Sequence, residues 1–163
     1  QPLGAPRRQP SVLLLNAGGR FNDQSARGGA YFRESHPGRG VVFADLDNDG
    51  RVDVVVSHVN EPAAILQNVS PTANHWLGAE LVGRSHADVV GARVTVEAGG
   101  RTQMRFAKSG GSYASSGDRR MVFGLGGADR VVKLTVRWPD GSTQEWADTP
   151  TDRYHKLISG AAW

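Results

Sequence analysis

A short acidic segment, residues 45–53, constrains this chain more than any other part of its sequence. It reads Asp-Leu-Asp-Asn-Asp-Gly-Arg-Val-Asp, so carboxylates stand at positions 1, 3, 5 and 9 around a glycine at position 6. Carboxylates gathered in one turn repel one another unless a cation neutralises them. Calcium is the expected cation, because it takes about six to eight oxygen ligands and a short acidic loop supplies most of them.

The calcium hypothesis defines a set of ligands. They are the side chains of Asp45, Asp47, Asp49 and Asp53 and the backbone carbonyl of Arg51. An EF-hand is excluded, because that loop needs a glutamate at position 12, where this chain has Val56. Valine-rich runs on both sides predict buried strands rather than helices. The competing interpretation is a plain hairpin turn.

Composition indicates an all-β fold. The 163 residues include 21 glycines and 8 prolines, with no long helical apolar pattern, as is typical of short strands joined by turns. Cysteine is absent from the sequence, which excludes disulfides and thiolate chemistry. No apolar run is long enough for a membrane span, so we expect a soluble chain without membrane insertion. The net charge of +3 is scattered and predicts no nucleic-acid partner.

Residues 10–16 and 62–68 form a weak internal repeat. Both begin with proline and end with asparagine at an offset of 52 residues, a spacing typical of propeller blades. With the acidic loop between two β runs, this pattern resembles the VCBS or FG-GAP repeat, the calcium-loop blade of integrin-type β-propellers. The resemblance implies a repeat region at 10–71, in which residues 10–30 form the outer strands of one blade and 40–68 the first three strands of the next. Because a closed propeller needs about four blades, we expect a partial one.

Residues 74–160 carry a second set of motifs. These are Asn-His-Trp-Leu at 74–77, Gly-Ala-Arg-Val-Thr-Val at 91–96, Gly-Gly-Ser-Tyr at 110–113, Phe-Gly-Leu-Gly at 123–126 and Val-Arg-Trp-Pro-Asp-Gly at 136–141. In this order they resemble the ASPIC/UnbV domain, which follows VCBS repeats in cartilage acidic protein-like secreted proteins. The resemblance implies secretion, and because the repeat region is shorter than a closed propeller, we expect a C-terminal fragment or a truncated member of the family.

Apolar and polar residues alternate in this second region, which predicts a β-sandwich or jelly roll. The predicted inward side chains are Val132, Leu134, Val136 and Trp138 on one strand, and Val94, Val96, Met104 and Phe106 across a hairpin that turns at 99–100. Trp76, Trp138 and Trp146 also lie on strand patterns and are expected in the core rather than on a sugar-binding surface.

Catalytic motifs are hard to find in this sequence. Residues 110–114 resemble half of a nucleophile elbow, but Ala114 replaces the final glycine and no helix follows. The five histidines are scattered without metal-ligand spacing and are expected to be structural or superficial. We therefore predict no catalytic residue and expect that the chain by itself is not an enzyme.

The polar loop at 109–120 is the second candidate for function. Its candidate ligand-binding side chains are Ser112, Tyr113, Asp118, Arg119 and Arg120. An amphipathic ring beside planar guanidinium donors is suited to binding a glycan or a peptide carboxylate. The alternative is a tight crossover between sheets in which Tyr113 packs inward.

Together these features predict a calcium-stabilised, non-catalytic binding module that is extracellular, on the cell surface or periplasmic, with a protein or glycan partner. One alternative is an accessory or catalytic part of a polysaccharide-acting enzyme, with the 109–120 loop at the glycan. Another is an architectural cap for a propeller. Unpaired strand edges in residues 10–68 predict self-association or folding of this region against the sandwich.

Overall fold

The computed structural model describes residues 7–161, and this part of the chain is all-β, as predicted. The N-terminal strands are β1 (Gln9–Pro10), β2 (Leu14–Ala17), β3 (Arg20–Asp23), β4 (Ser35–His36), β5 (Gly38–Ala44), β6 (Asp53–His58) and β7 (Ala64–Leu66). The C-terminal strands are β8 (His75–Val82), β9 (Arg93–Ala98), β10 (Arg101–Phe106), β11 (Met121–Gly126), β12 (Arg130–Arg137), β13 (Thr143–Pro150) and β14 (Tyr154–Ile158). Short 3-10 helices occupy Ser25–Arg27, Ala30–Arg33 and Arg84–His86. No helix in residues 7–161 is long and apolar enough to cross a membrane.

The N-terminal half consists of small antiparallel sheets. Strands β2 and β3 form a hairpin, β1 pairs with β4, and β5, β6 and β7 form a three-stranded sheet in that order. This last sheet spans the region where the sequence predicts three blade strands. The pair Ala44↔Asp53 closes β5 against β6, so the acidic segment is the connection between two paired strands.

The C-terminal half contains two sheets around one apolar core. Their orders are β10-β9-β12-β13 and β11-β8-β14, and the β8–β14 pair is parallel while the other pairs are antiparallel. Both sheets contribute to a single cluster of buried side chains, as expected of a β-sandwich. Every buried apolar residue of the described chain lies between Leu77 and Leu157. The C-terminal half therefore has a core of its own.

Two details of the predicted inward faces are wrong. Val132 is 57% exposed and Val131 is fully buried. The alternation along β12 changes here because Val132 is not paired with Asp148 on β13, a residue whose φ is 49°. Met104 and Phe106 are likewise about half exposed, at 52% and 49%. The remaining residues of these two predicted inward faces are buried: Leu134, Val136, Trp138, Val94 and Val96.

The 109–120 loop covers the free edge of β5. The backbone amide of Val41 donates to Oγ of Ser112 at 3.1 Å, which satisfies a donor on the side of β5 that faces away from β6. Gly40 lies against Ser115 and the carbonyl of Tyr113, where a β-carbon would overlap both. The N-terminal half is thus folded against the C-terminal half, one of the two outcomes predicted for its edges.

Candidate metal centre

The acidic loop is held in shape by its own first carboxylate. Asp45 accepts hydrogen bonds from the backbone amides of Asp49 on Oδ1, at 3.1 Å, and of Gly50 on Oδ2, at 2.9 Å. Asn48 and Gly50 have φ values of 63° and 83°, in the left-handed region that asparagine and glycine tolerate best. The sequence therefore curls the loop so that alternate side chains point toward one centre.

Three of the predicted ligands come together at that centre. Carboxylate oxygens of Asp45, Asp47 and Asp49 lie within 4.8 Å of one another. Asp45 is only 1% exposed, Asp49 is partly buried and Asp47 is exposed. Hard carboxylate oxygens are the ligands that calcium prefers. These three residues fit a calcium ion, whose positive charge would offset the repulsion between their carboxylates.

Asp53 lies outside this three-carboxylate group. Its buried carboxylate accepts hydrogen bonds from the amides of Leu46 at 3.0 Å and Asn68 at 2.7 Å, and it thereby closes the base of the loop. The Arg51 side chain forms an ion pair with Asp49 and donates to the carbonyl of Asn68 at 2.8 Å. Direct ligation by the Asp53 carboxylate and the Arg51 carbonyl remains a prediction.

The C-terminal half contributes a second layer of contacts around the loop. The Tyr154 hydroxyl donates to Oδ2 of Asp45 at 2.6 Å, and Arg120 donates to the Asp45 carbonyl at 2.9 Å. The Trp76 ring lies on the α-carbon of Gly50 so closely that a β-carbon would overlap it. These contacts attach the loop to β8, β14 and the 109–120 loop.

The electrostatics of this layer keep its donors protonated. Burial, followed by the hydrogen bond to Asp45, raises the pKa of the Tyr154 phenol well above its ordinary value. The hydrogen bond from Arg120 to Asp118 raises the pKa of that guanidinium, which also lies 4.3 Å from the centroid of the Tyr154 ring. Both groups therefore act as hydrogen-bond donors toward Asp45 at neutral pH.

Two regions of the chain match known families. Residues 3–56 match the FG-GAP-like repeat, and residues 82–162 match the family described as ASPIC and UnbV. We call these two matched regions the FG-GAP-like repeat and the ASPIC/UnbV domain. It is 31% identical over 110 residues to cartilage acidic protein 1 of Mus musculus and of Homo sapiens, and 30% identical to that of Xenopus tropicalis. Each match covers 64% of this chain but only 16–17% of the relative, so the chain spans about a sixth of the relatives' length.

Sequence reasoning missed two residues of the C-terminal half that contact the acidic loop, Tyr154 and Trp76. Tyr154 lies 109 positions from Asp45, and no local pattern links them. Trp76 was expected in the core, and it is instead half-buried between Gly50 and Tyr154, with the two aromatic centroids 5.2 Å apart. Trp138 and Trp146 are buried in the core, as predicted.

The candidate residues of the 109–120 loop fall into two groups, because Asp118, Arg119 and Arg120 line one cleft whereas Ser112 and Tyr113 do not. Ser112 contacts Val41, as described above, while Asp118 accepts from Arg120, which faces the acidic loop. Tyr113 is 66% exposed, so its predicted inward packing is wrong. In this loop the ring of Tyr113 remains outside the core.

Two of the five histidines are neighbours in the FG-GAP-like repeat. The rings of His36 and His58 stack with centroids 5.2 Å apart, and Tyr31 stacks on His36 at 4.3 Å. His36 also lies 3.3 Å from a carboxylate oxygen of Glu61, and Tyr31 is hydrogen-bonded to His58. These contacts link β4, β6 and a 3-10 helix, which is the structural role expected of histidines here.

Proposed function

We propose that this chain is a calcium-stabilised, non-catalytic interaction module of an extracellular or periplasmic protein. The observation that carries the proposal is the group of Asp45, Asp47 and Asp49 within 4.8 Å of one another in an FG-GAP-like repeat, with Asp45 almost fully buried. A buried carboxylate beside two others is unfavourable without a counter-charge.

The role of calcium would be structural. Asp45, Asp47 and Asp49 would hold the ion, and its charge would offset their repulsion. Because Asp45 also binds Tyr154 and Arg120, a fixed Asp45 would stabilise the junction between the repeat and the ASPIC/UnbV domain. Acidic loops of extracellular modules bind calcium with dissociation constants of about 10⁻⁴–10⁻³ M, which suits compartments rich in calcium. The name of the relatives, which places them in cartilage, supports an extracellular location.

A part of a polysaccharide-acting enzyme is the second candidate. It is favoured by the exposed ring of Tyr113, since aromatic rings are common on sugar-binding surfaces. However, Arg39 lies 5.0 Å from the centroid of this ring and occupies one of its faces. A glycan array combined with a turnover assay separates the two functions: binding without turnover supports the module, and turnover supports the enzyme.

Calcium dependence is tested by thermal melting. We expect chelation to lower the melting temperature and added calcium to restore it in a concentration-dependent way. Asp47→Ala should abolish this response, because Asp47 is exposed and bonds only Gln67 among the described residues, so its loss leaves the fold intact. Asp129→Ala, another exposed aspartate, should retain the response. A parent protein indifferent to both chelator and calcium contradicts the proposed metal centre.

A further inference from the structure

A cleft of about 460 Å³ separates the end of the three-stranded N-terminal sheet from the sandwich. One wall is formed by Phe43 on β5 and Val52 in the acidic loop. The opposite wall is formed by residues 104–108 on and after β10, and by residues 118–122 leading into β11. Ligand-binding pockets in proteins commonly measure about 300–1,000 Å³, so the cleft can hold several side chains of a partner.

Three large apolar side chains line the cleft, and we call them its apolar floor. Phe43, Met104 and Phe106 line it, and about half of each side chain is exposed to solvent. Apolar side chains that gather on a surface mark a binding site. Methionine adapts its shape to different partners.

The rim of the cleft is cationic. Lys108 and Arg119 line it, and within residues 7–161 no carboxylate lies at ion-pair distance from either. A further lining cation, Arg105, instead lies 5.5 Å from the centroid of the buried Phe123 ring. The two acidic residues of the lining are already engaged. Asp118 is bonded to Arg120, and Asp45 accepts hydrogen bonds inside the acidic loop. The positive charge of the rim is therefore available to a partner.

We propose that this cleft binds an acidic peptide segment that also carries apolar side chains. Carboxylates of the segment would pair with the cationic rim, and its aliphatic or aromatic side chains would cover the apolar floor. A sulfated glycan offers the charge but has no apolar side chains for Phe43, Met104 and Phe106, so the floor favours a peptide. This inference rests on the proposed function as an interaction module and assigns that module a site and a ligand class.

The probe is a short fluorescein-labelled peptide that alternates glutamate with leucine and phenylalanine. Its binding to the full chain is measured by fluorescence anisotropy in low salt with calcium present. Two competitors separate the contributions of charge and apolar contact: a peptide of glutamate alone, and a sulfated oligosaccharide. We expect the unlabelled alternating peptide to compete at least about tenfold better than either, because only it can bury the apolar floor.

Substitutions on the rim and floor locate the binding site. Lys108→Glu combined with Arg119→Glu should lower the affinity for the probe at least about tenfold, because the electrostatic attraction between the rim and the glutamates becomes repulsion. Phe106→Ser should lower this affinity to a similar extent, because apolar contact with the probe is lost. The matched control is Arg20→Glu combined with Arg33→Glu, two exposed cations of the N-terminal half that do not line the cleft. It should change the affinity less than about twofold.

Several outcomes overturn the proposal. They are no measurable binding of the probe, equal weakening by the control pair, an unchanged affinity in Phe106→Ser, or equal competition by the sulfated oligosaccharide. The melting temperature of each variant in calcium shows whether it is folded. The calcium response of Asp47→Ala tests the proposed function without reference to the cleft. A normal calcium response without probe binding therefore rejects the cleft alone.

Discussion

The phenol of Tyr154 donates a 2.6 Å hydrogen bond to Oδ2 of Asp45, the first carboxylate of the acidic loop. One partner belongs to the last strand of the ASPIC/UnbV domain and the other to the FG-GAP-like repeat. Their contact makes the conformation of the loop depend on the folding of both halves.

Tyr154→Phe should lower the free energy of unfolding of the whole chain by about 1.5–3 kcal/mol, the usual contribution of a hydrogen bond to a charged group. The lost donor leaves the buried Asp45 with less compensation for its charge. Urea denaturation followed by tryptophan fluorescence gives this value. Tyr113→Phe, at an exposed ring, should have almost no effect. Equal stability of the two variants would show that the Tyr154 hydroxyl is energetically irrelevant.

Gly50→Ala should destabilise the chain more than Gly100→Ala. Both glycines have φ in the left-handed region, at 83° and 71°, so each substitution costs about 1–2 kcal/mol of backbone strain. At Gly50 the new methyl also overlaps the Trp76 indole, while Gly100 has open space. Overpacking adds about 1–3 kcal/mol. Comparable unfolding midpoints in urea for the two variants would rule out tight packing of Trp76 on the loop.

A chain of residues 72–163 should fold by itself. All buried apolar side chains of the described residues lie within 77–157, so removal of the N-terminal half takes nothing from the core. Residues 1–71 alone should be unstable, since their small sheets cannot bury two faces. Dispersed amide signals in the NMR spectrum of the C-terminal piece are the expected result. A collapsed, poorly dispersed spectrum would instead mean that the two halves fold only together.

The stability of the chain should decrease below about pH 6.5, partly through His155. Burial lowers the pKa of His155, whose Nε2 lies 2.8 Å from the Pro150 carbonyl and donates to it. Because the unfolded chain takes up this proton at a higher pH than the folded one, stability present above about pH 6.5 is lost as the pH falls.

The measurement is the melting temperature between pH 7.5 and pH 5. His155→Gln keeps a donor for Pro150 and cannot be protonated, so its melting temperature should decrease less over this range. His86→Gln, at an exposed histidine, should follow the parent. Parallel curves for His155→Gln and the parent would assign the acid sensitivity to other groups.

The loop and the strands around it could be predicted from the sequence because the signals are local. The spacing of Asp45, Asp47 and Asp49 fixes which side chains share one side of the turn, and the valine runs fix the strands. The phase of β12 was predicted incorrectly, because the left-handed backbone of Asp148 on the neighbouring strand interrupts the alternation at Val132. No pattern within β12 reveals that neighbour.

The remaining part of the site depends on contacts across the chain. Arg120 was selected as a possible ligand-binding residue, but its guanidinium instead bonds Asp118, the side chain of Asn48 and the carbonyl of Asp45. A polar loop shows which donors are available and gives no information about which acceptors face them. Tertiary packing decides that pairing.

The position of Arg120 across the junction affects how parts of this chain can be transferred between proteins. A nine-residue loop grafted into another protein would retain its carboxylates but lose the guanidinium, phenol and indole that surround them here. Its affinity for a cation would then depend on the groups that surround the loop in the new protein. Any cation affinity of the loop in this protein would accordingly depend on both matched regions, and a boundary drawn between them at residue 72 separates the acidic loop from the groups that hold it in place.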